Sequence, residues 1–188
     1  MVAVDSLIGR VPPLLRYGLA ALLLCGIILA MLMQRAAILR NGQEVQLEVV
    51  PVDPRDLFRG DYVILNYQIS TVNVAAEVTT AFTRGQQVFV TLRPDANGMS
   101  RAVAISAERP AVTGADIVIS GLVIYPSTRA VSVKYGLESY FVPQGEGRKI
   151  ERTARGRLEV VAAVAPSGQA AIKRLLIDGV PVYDEPPY

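Results

Sequence analysis

Two hydrophobic rhythms divide this chain. From Tyr17 to Gln34 the side chains run YGLAALLLCGIILAMLMQ, 18 residues without a formal charge between Arg16 and Arg35. At ~1.5 Å of rise per residue this run covers roughly 27 Å as a helix, close to the ~30 Å hydrocarbon thickness of a bilayer. A core helix of that length carries a polar face, and this run has none. The pattern therefore predicts a membrane-spanning helix over residues 14–34. After Arg40 the period becomes two: Val45, Leu47 and Val49 alternate with Glu44, Gln46 and Glu48, as in a half-buried strand. The same alternation recurs in Val63-Leu65-Tyr67-Ile69, Val88-Val90-Leu92, Val103-Ile105, Ile117-Ile119, Val131-Val133-Tyr135 and Leu158-Val160-Ala162-Val164, with a last strand over Ala170–Ile177.

Turn chemistry punctuates these runs at Arg84-Gly85, Asp95-Ala96-Asn97-Gly98, Pro166-Ser167-Gly168 and Asp178-Gly179. With no long amphipathic helix after the apolar run, the prediction is an all-β soluble domain, a small barrel or sandwich of about 8–10 strands, behind one N-terminal transmembrane helix. The organisation expected is residues 1–40 as tail and anchor, 41–183 as the β-domain and 184–188 as a short tail. About 140 residues suffice to bury a core unaided. Two stretches break the rhythm: Val72–Thr83, read as a short helix or irregular crossover, and Pro143–Arg157, read as an exposed loop with a helical turn near Lys149–Thr153.

Composition bears on the anchor. Large or charged residues (Met31, Met33, Gln34, Arg35) interrupt any small-x-small cleavage pattern after the apolar run, so the helix is expected to stay on the protein. Cys25 follows Leu24, where lipoprotein processing wants a small residue, and reads as one more apolar position. Residues 1–40 hold four Arg and one Asp, net +3, and residues 41–188 hold 15 Lys+Arg and 16 Asp+Glu, net −1. The positive-inside balance across the helix is therefore nearly even. The domain lacks the basic field on which nucleic-acid binding relies, so no nucleic-acid partner is expected. One cysteine permits no internal disulfide.

Polar chemistry concentrates just before one strand. Asp53, Asp56 and Asp61 are three carboxylates within nine positions, with Arg55 and Arg59 between them. A small acidic site for a cation or for general acid–base work is one reading. A turn is the other, with Asp53 and Asp56 accepting backbone N–H bonds and pairing with the arginines. The interleaved arginines favour the turn. Beyond Gly60 the alternation puts Asp61, Val63, Leu65 and Tyr67 on one face and Tyr62, Ile64 and Asn66 on the other. A serine-peptidase reading fails because Gln43–Gly60 holds no Ser or Thr. With no His and one Cys, a Ser-His-Asp triad and a His- or thiolate-bound zinc are excluded. No catalytic residue, metal or cofactor is assigned.

The run Arg59-Gly60-Asp61-Tyr62-Val63-Ile64-Leu65-Asn66-Tyr67 resembles the GDYXXLXY family, with Gly60, Asp61, Tyr62, Leu65 and Tyr67 at its defined positions. Val52-Asp53-Pro54-Arg55-Asp56 before it fits the same proteins. So does a second block, Lys134–Gly147, containing Tyr135, Gly136, Glu138, Tyr140, Gly145 and Glu146, and so does Asp178-Gly179. One departure is Gln144, where the family favours Glu. The resemblance implies a bacterial inner-membrane protein with a periplasmic domain, held in the lipid bilayer through residues 14–34. It also implies a multi-span membrane protein as partner, since family members are often encoded beside or fused to such proteins. The expected role is binding or assembly. The alternative is an envelope hydrolase or carbohydrate-active enzyme using paired carboxylates from Asp53, Asp56, Asp61, Glu138 and Glu146. The two signature blocks are expected to be neighbours, with Arg55 or Arg59 paired to Asp56, Asp61, Glu138 or Glu146. Arg59-Gly60-Asp61-Tyr62 is read as the architectural start of a central strand.

Overall fold

The change of period near Arg40 falls beside a position that only glycine fits. A helix, α1 (Pro13–Asn41), ends at Gly42, whose N–H reaches back to the Ile38 carbonyl at 2.8 Å. A Cβ on Gly42 would lie 2.6 Å from that oxygen and 3.0 Å from Ala163 Cβ and Val164 N. The chain thus leaves the helix and enters its first strand at once. These features come from a computed structural model, which describes residues 12–50, 62–73, 82–111, 114–127, 129–141 and 157–184.

The chain forms two compact units, Met1–Ala37 and Ile38–Tyr188. The first is the apolar part of α1, a helix long and apolar enough to cross a membrane, with nearly all of its surface unburied. The helix runs seven residues beyond the predicted end at 34. Arg35-Ala36-Ala37-Ile38-Leu39-Arg40 are good helix formers, and Leu39 is buried.

The second unit is β-structure. In order come β1 (Gln43–Val50), β2 (Tyr62–Ile64), β3 (Asn66–Tyr67), a 3₁₀ turn (Gln68–Ser70) and β4 (Thr71–Asn73). They are followed by β5 (Gln87–Pro94), β6 (Ser100–Ser106), β7 (Ile117–Pro126) and β8 (Ala130–Lys134). The last are β9 (Ser139–Phe141), β10 (Leu158–Val164), β11 (Ala170–Ile177) and β12 (Val180–Asp184). One antiparallel sheet has the order β12-β11-β10-β1-β3, a second β4-β8-β7-β5-β6, and β2 pairs with β9 alone. The alternating residues meet between the sheets: Leu47, Val160 and Leu175 from the first join Val90, Ile119 and Val131 from the second in one core. The sheets also touch at their margins. Gln46 bridges Met99 in parallel, and the Ser120 N–H donates to the Gly168 carbonyl at 2.8 Å. The result is the all-β domain expected, with corners tied across the sheets.

Twelve strands among the described residues exceed the 8–10 expected. The excess comes largely from β2, β3, β4 and β9, each two or three residues long. The alternation Val63–Ile69 suggests one strand, yet the chain changes partner at Leu65. β2 pairs with β9, β3 pairs with β1 at Val49↔Tyr67 and Val50↔Asn66, and Ile69 falls in the 3₁₀ turn. The strand is not central: β3 forms one margin of its sheet. Period-two patterning shows which face is buried, but not which neighbour supplies the ladder.

Candidate functional site

Of the singled-out residues, Asp53, Arg55, Asp56, Arg59, Gly60, Asp61, Gly145 and Glu146 lie outside the described residues, and with them the arginine pairings expected there. Tyr62 and Tyr140 are placed by their backbones. Tyr62 pairs with Phe141, Val63 with Tyr140 and Ile64 with Ser139, so the end of the first signature and part of the second form one antiparallel ribbon. The ribbon continues into a network of bonds between the same two segments. The Leu65 N–H donates to the Glu138 carbonyl at 2.8 Å. The Tyr67 hydroxyl donates to the Leu137 carbonyl at 2.7 Å, and the Tyr135 hydroxyl to the Ile69 carbonyl at 2.7 Å. Each segment thus supplies a tyrosine that closes on the backbone of the other.

The local sequence explains this reciprocity. Leu65 and Tyr67 share a face by alternation, and both are buried, Tyr67 to 2% exposure. Tyr135, 7% exposed, directly follows β8 and enters a turn at Gly136, whose φ of 80° is the left-handed region where glycine is strain-free. Glu138 closes the turn: its two carboxylate oxygens accept the N–H groups of Tyr135 and Gly136. A buried phenol must find an acceptor or lose a hydrogen bond's worth of solvation, and both phenols find a main-chain carbonyl. Burial, reinforced by the charge of Glu138, pushes the Tyr67 and Tyr135 hydroxyls well above their ordinary ionisation range. At neutral pH they are proton-bearing donors, not bases. The described part of the two signatures is therefore a clasp that holds two segments together.

The family model described as GDYXXLXY protein matches residues 24–175, which include both halves of this clasp. The chain belongs to the GDYXXLXY family. No curated protein and no solved structure matches it.

The GDYXXLXY domain also has a polar cluster that sequence reasoning missed. Glu159 on β10 is 1% exposed. Its carboxylate accepts from Gln46 Nε2 at 2.7 Å and pairs with Arg157 Nε at 2.7 Å. Across the ladder it faces Glu48, a like-charge arrangement that is unfavourable without a cation at hand. Nearby on the same face Glu44 holds Lys173 at 2.7 Å and Arg174. The Lys173 hydrogen bond holds the Glu44 carboxyl below its usual range, against the opposing effect of partial burial. Alternation in Leu158–Val164 assigned Glu159 to solvent. The missed signal is that Val161 and Ala163 between the inward positions are apolar too, the near-continuous run of a strand covered on both faces. Among the described residues no cluster of His, Cys, Asp and Glu fits a metal ion.

Proposed function

We propose that this GDYXXLXY protein is a single-pass, membrane-anchored bacterial envelope protein whose β-domain lies in the periplasm and binds or assembles with a multi-span membrane protein. The observation that carries a binding role is the clasp. The Tyr67 and Tyr135 hydroxyls tie two segments together and the Glu138 carboxylate closes a turn, so the polar groups of all three are engaged with the backbone. The remaining ion-paired carboxylates described support the same reading. Glu44, Asp95, Asp116 and Glu159 each have a cation, Asp95 through Arg101 at 3.0 Å and Asp116 through Arg93 at 2.7 Å. A hydrolase of the glycosidase kind needs two carboxylates converging roughly 5–9.5 Å apart across a cleft. Those engaged here are each held by a cation. The uncharged length of α1 supports the anchor, since a soluble helix this apolar would be packed in a core.

Crosslinking in native membranes followed by capture of the full-length protein tests the binding role. A specific multi-span protein recovered with it supports the proposal, and recovery of the chain alone contradicts it. Carbonate extraction tests the anchor separately: the protein should stay with the membrane pellet, and release into the supernatant removes the anchored reading.

A further inference from the structure

The second sheet is chemically different at its two ends. At one end, the C-terminus of β5 and the N-termini of β6 and β7, every described charge is paired: Arg93 with Asp116 and Arg101 with Asp95. The register places the start of β5, the end of β6, the end of β7 and the start of β8 together at the other end. The described charges there are Arg84, Arg109, Arg129 and, opposite Leu122 at the end of β8, Lys134. Against them stand two carboxylates, Glu108 at the β6 corner and Glu138, which is bound to the Tyr135 and Gly136 N–H groups beside Lys134. The four cations and Glu108 are exposed, and Glu138 is half-buried. Four exposed cations are set against a single exposed anion.

The same end carries bare apolar surface. Leu122 is 49% exposed, Ile124 43% and Tyr125 67%. Leu122 lies between Gln87 and Lys134 across the ladder, and Tyr125 opposite Ser132, so no carboxylate faces either of them within the sheet. A β-bulge between Val123 and Tyr125 breaks the alternation there. This puts Ile124 and Tyr125 both at the surface, where strict alternation would send one inward. The Arg84-Gly85 turn is stapled beside them by the Gly85 N–H to the Val123 carbonyl at 2.8 Å. Aliphatic side chains, an amphipathic tyrosine and exposed arginine and lysine form the combination that partitions into the headgroup region of a bilayer.

We infer that this end of the second sheet, with Leu122, Ile124 and Tyr125 at its centre and Arg84, Arg129 and Lys134 around them, docks on an anionic phospholipid surface. The charge complementarity is direct: cations that pair with no carboxylate among the described residues meet phosphate. The inference rests on the anchoring proposed above, because a chain tied to the bilayer by α1 keeps its domain at high effective concentration near that surface. Lipid docking would fix how the domain is presented to a membrane partner.

The chain contains no tryptophan, so Tyr125→Trp in the full-length protein gives a single emitter at the centre of the surface. Val180→Trp on β12, where the native side chain is 63% exposed, is the control. Each variant is reconstituted into phosphatidylcholine vesicles with or without phosphatidylglycerol, with headgroup-level brominated lipid as quencher. In anionic vesicles the Tyr125→Trp emission should shift to shorter wavelength and lose most of its intensity, while the Val180→Trp emission stays water-like. Reversing Arg84, Arg129 or Lys134 to Glu should weaken docking at least about fivefold per residue, the effect of losing about 1 kcal/mol for each basic group near an anionic surface. Leu122→Trp gives a second reporter should the first fail to fold. A chain that floats with the vesicles while both central reporters stay water-like and unquenched overturns the docking alone, and the face then belongs to a protein partner. A chain that does not float with the vesicles overturns the anchoring and the docking with it.

Discussion

The clasp and the apolar–basic end of the second sheet contain similar residues in opposite situations. Tyr67 and Tyr135 are buried, hydrogen-bonded and written into the family's signature blocks. Tyr125 is 67% exposed and belongs to no signature. Glu138 has both oxygens on backbone amides, whereas Arg84, Arg129 and Lys134 are exposed cations, Lys134 with Leu122 opposite it. Of the residues that name this family, the described Leu65 and Tyr67 are buried in the domain. The docking surface proposed above lies where no motif points.

The largest effect expected from breaking this contrast is that of Tyr67→Ala. Removing a buried aromatic side chain costs about 3–5 kcal/mol, a large part of the stability of an ordinary domain. Thermal unfolding of the full-length protein in detergent should show loss of the cooperative transition or a fall of well over 10 °C. A midpoint near wild type would contradict the burial of Tyr67. Next come the hydroxyls alone. Tyr67→Phe and Tyr135→Phe each remove one buried donor and leave a carbonyl unpaired, at about 1–2 kcal/mol each. Both bonds join the same two segments, so the double variant should cost less than the sum by about 0.5–1 kcal/mol. Strict additivity would show that the two tyrosines are independent.

Alkaline pH gives a further separation. Burial raises the folded-state ionisation of both tyrosines above the unfolded value of about 10. The folded state then holds protons that the unfolded state has released. Their contribution is intact below pH ~10 and is lost as pH rises above it. Unfolding titrations should show a loss above pH ~10 that the double Phe variant lacks. At the acid end Glu44, Asp95 and Asp116 have depressed folded values, each chiefly from a hydrogen bond: from Lys173, from the Asn97 N–H and from Arg93. Their contribution is present above the unfolded value of about 4 and disappears as pH falls through the folded ones. These groups are exposed or only partly buried, so added salt should blunt the acid loss and leave the alkaline loss unchanged. Smallest of all, Leu122→Ser and Tyr125→Ser should move stability by no more than about 0.5 kcal/mol, as for surface sites. A larger loss would mean that this face is packed.

The strand periodicity of Val45–Val49 and Val88–Leu92 made the all-β class legible, because one buried face per strand is a local property. The apolar helix was legible for the same reason. The switch at Leu65 was not: β2 and β3 differ only in which strand lies beside them, and that depends on where β1 and β9 run. The face shared by Leu65 and Tyr67 followed from alternation, but their acceptors did not, since Leu137 lies 70 residues from Tyr67 in sequence. Leu122–Tyr125 escaped because a bulge interrupts the alternation just where the strand becomes exposed. Glu159 escaped because its strand is covered on both faces. The acidic run from Asp53 to Asp61 lies outside the described residues.

The most direct test of the architectural reading is the unfolding midpoint of Tyr67→Phe measured beside Tyr125→Ser in the full-length protein. A loss of about 1–2 kcal/mol lowers the midpoint of a domain this size by about 2–8 °C. Tyr67→Phe should show that fall, and Tyr125→Ser a shift of no more than about 2 °C. A wild-type midpoint for Tyr67→Phe together with a fall for Tyr125→Ser would reverse the roles assigned to the two regions.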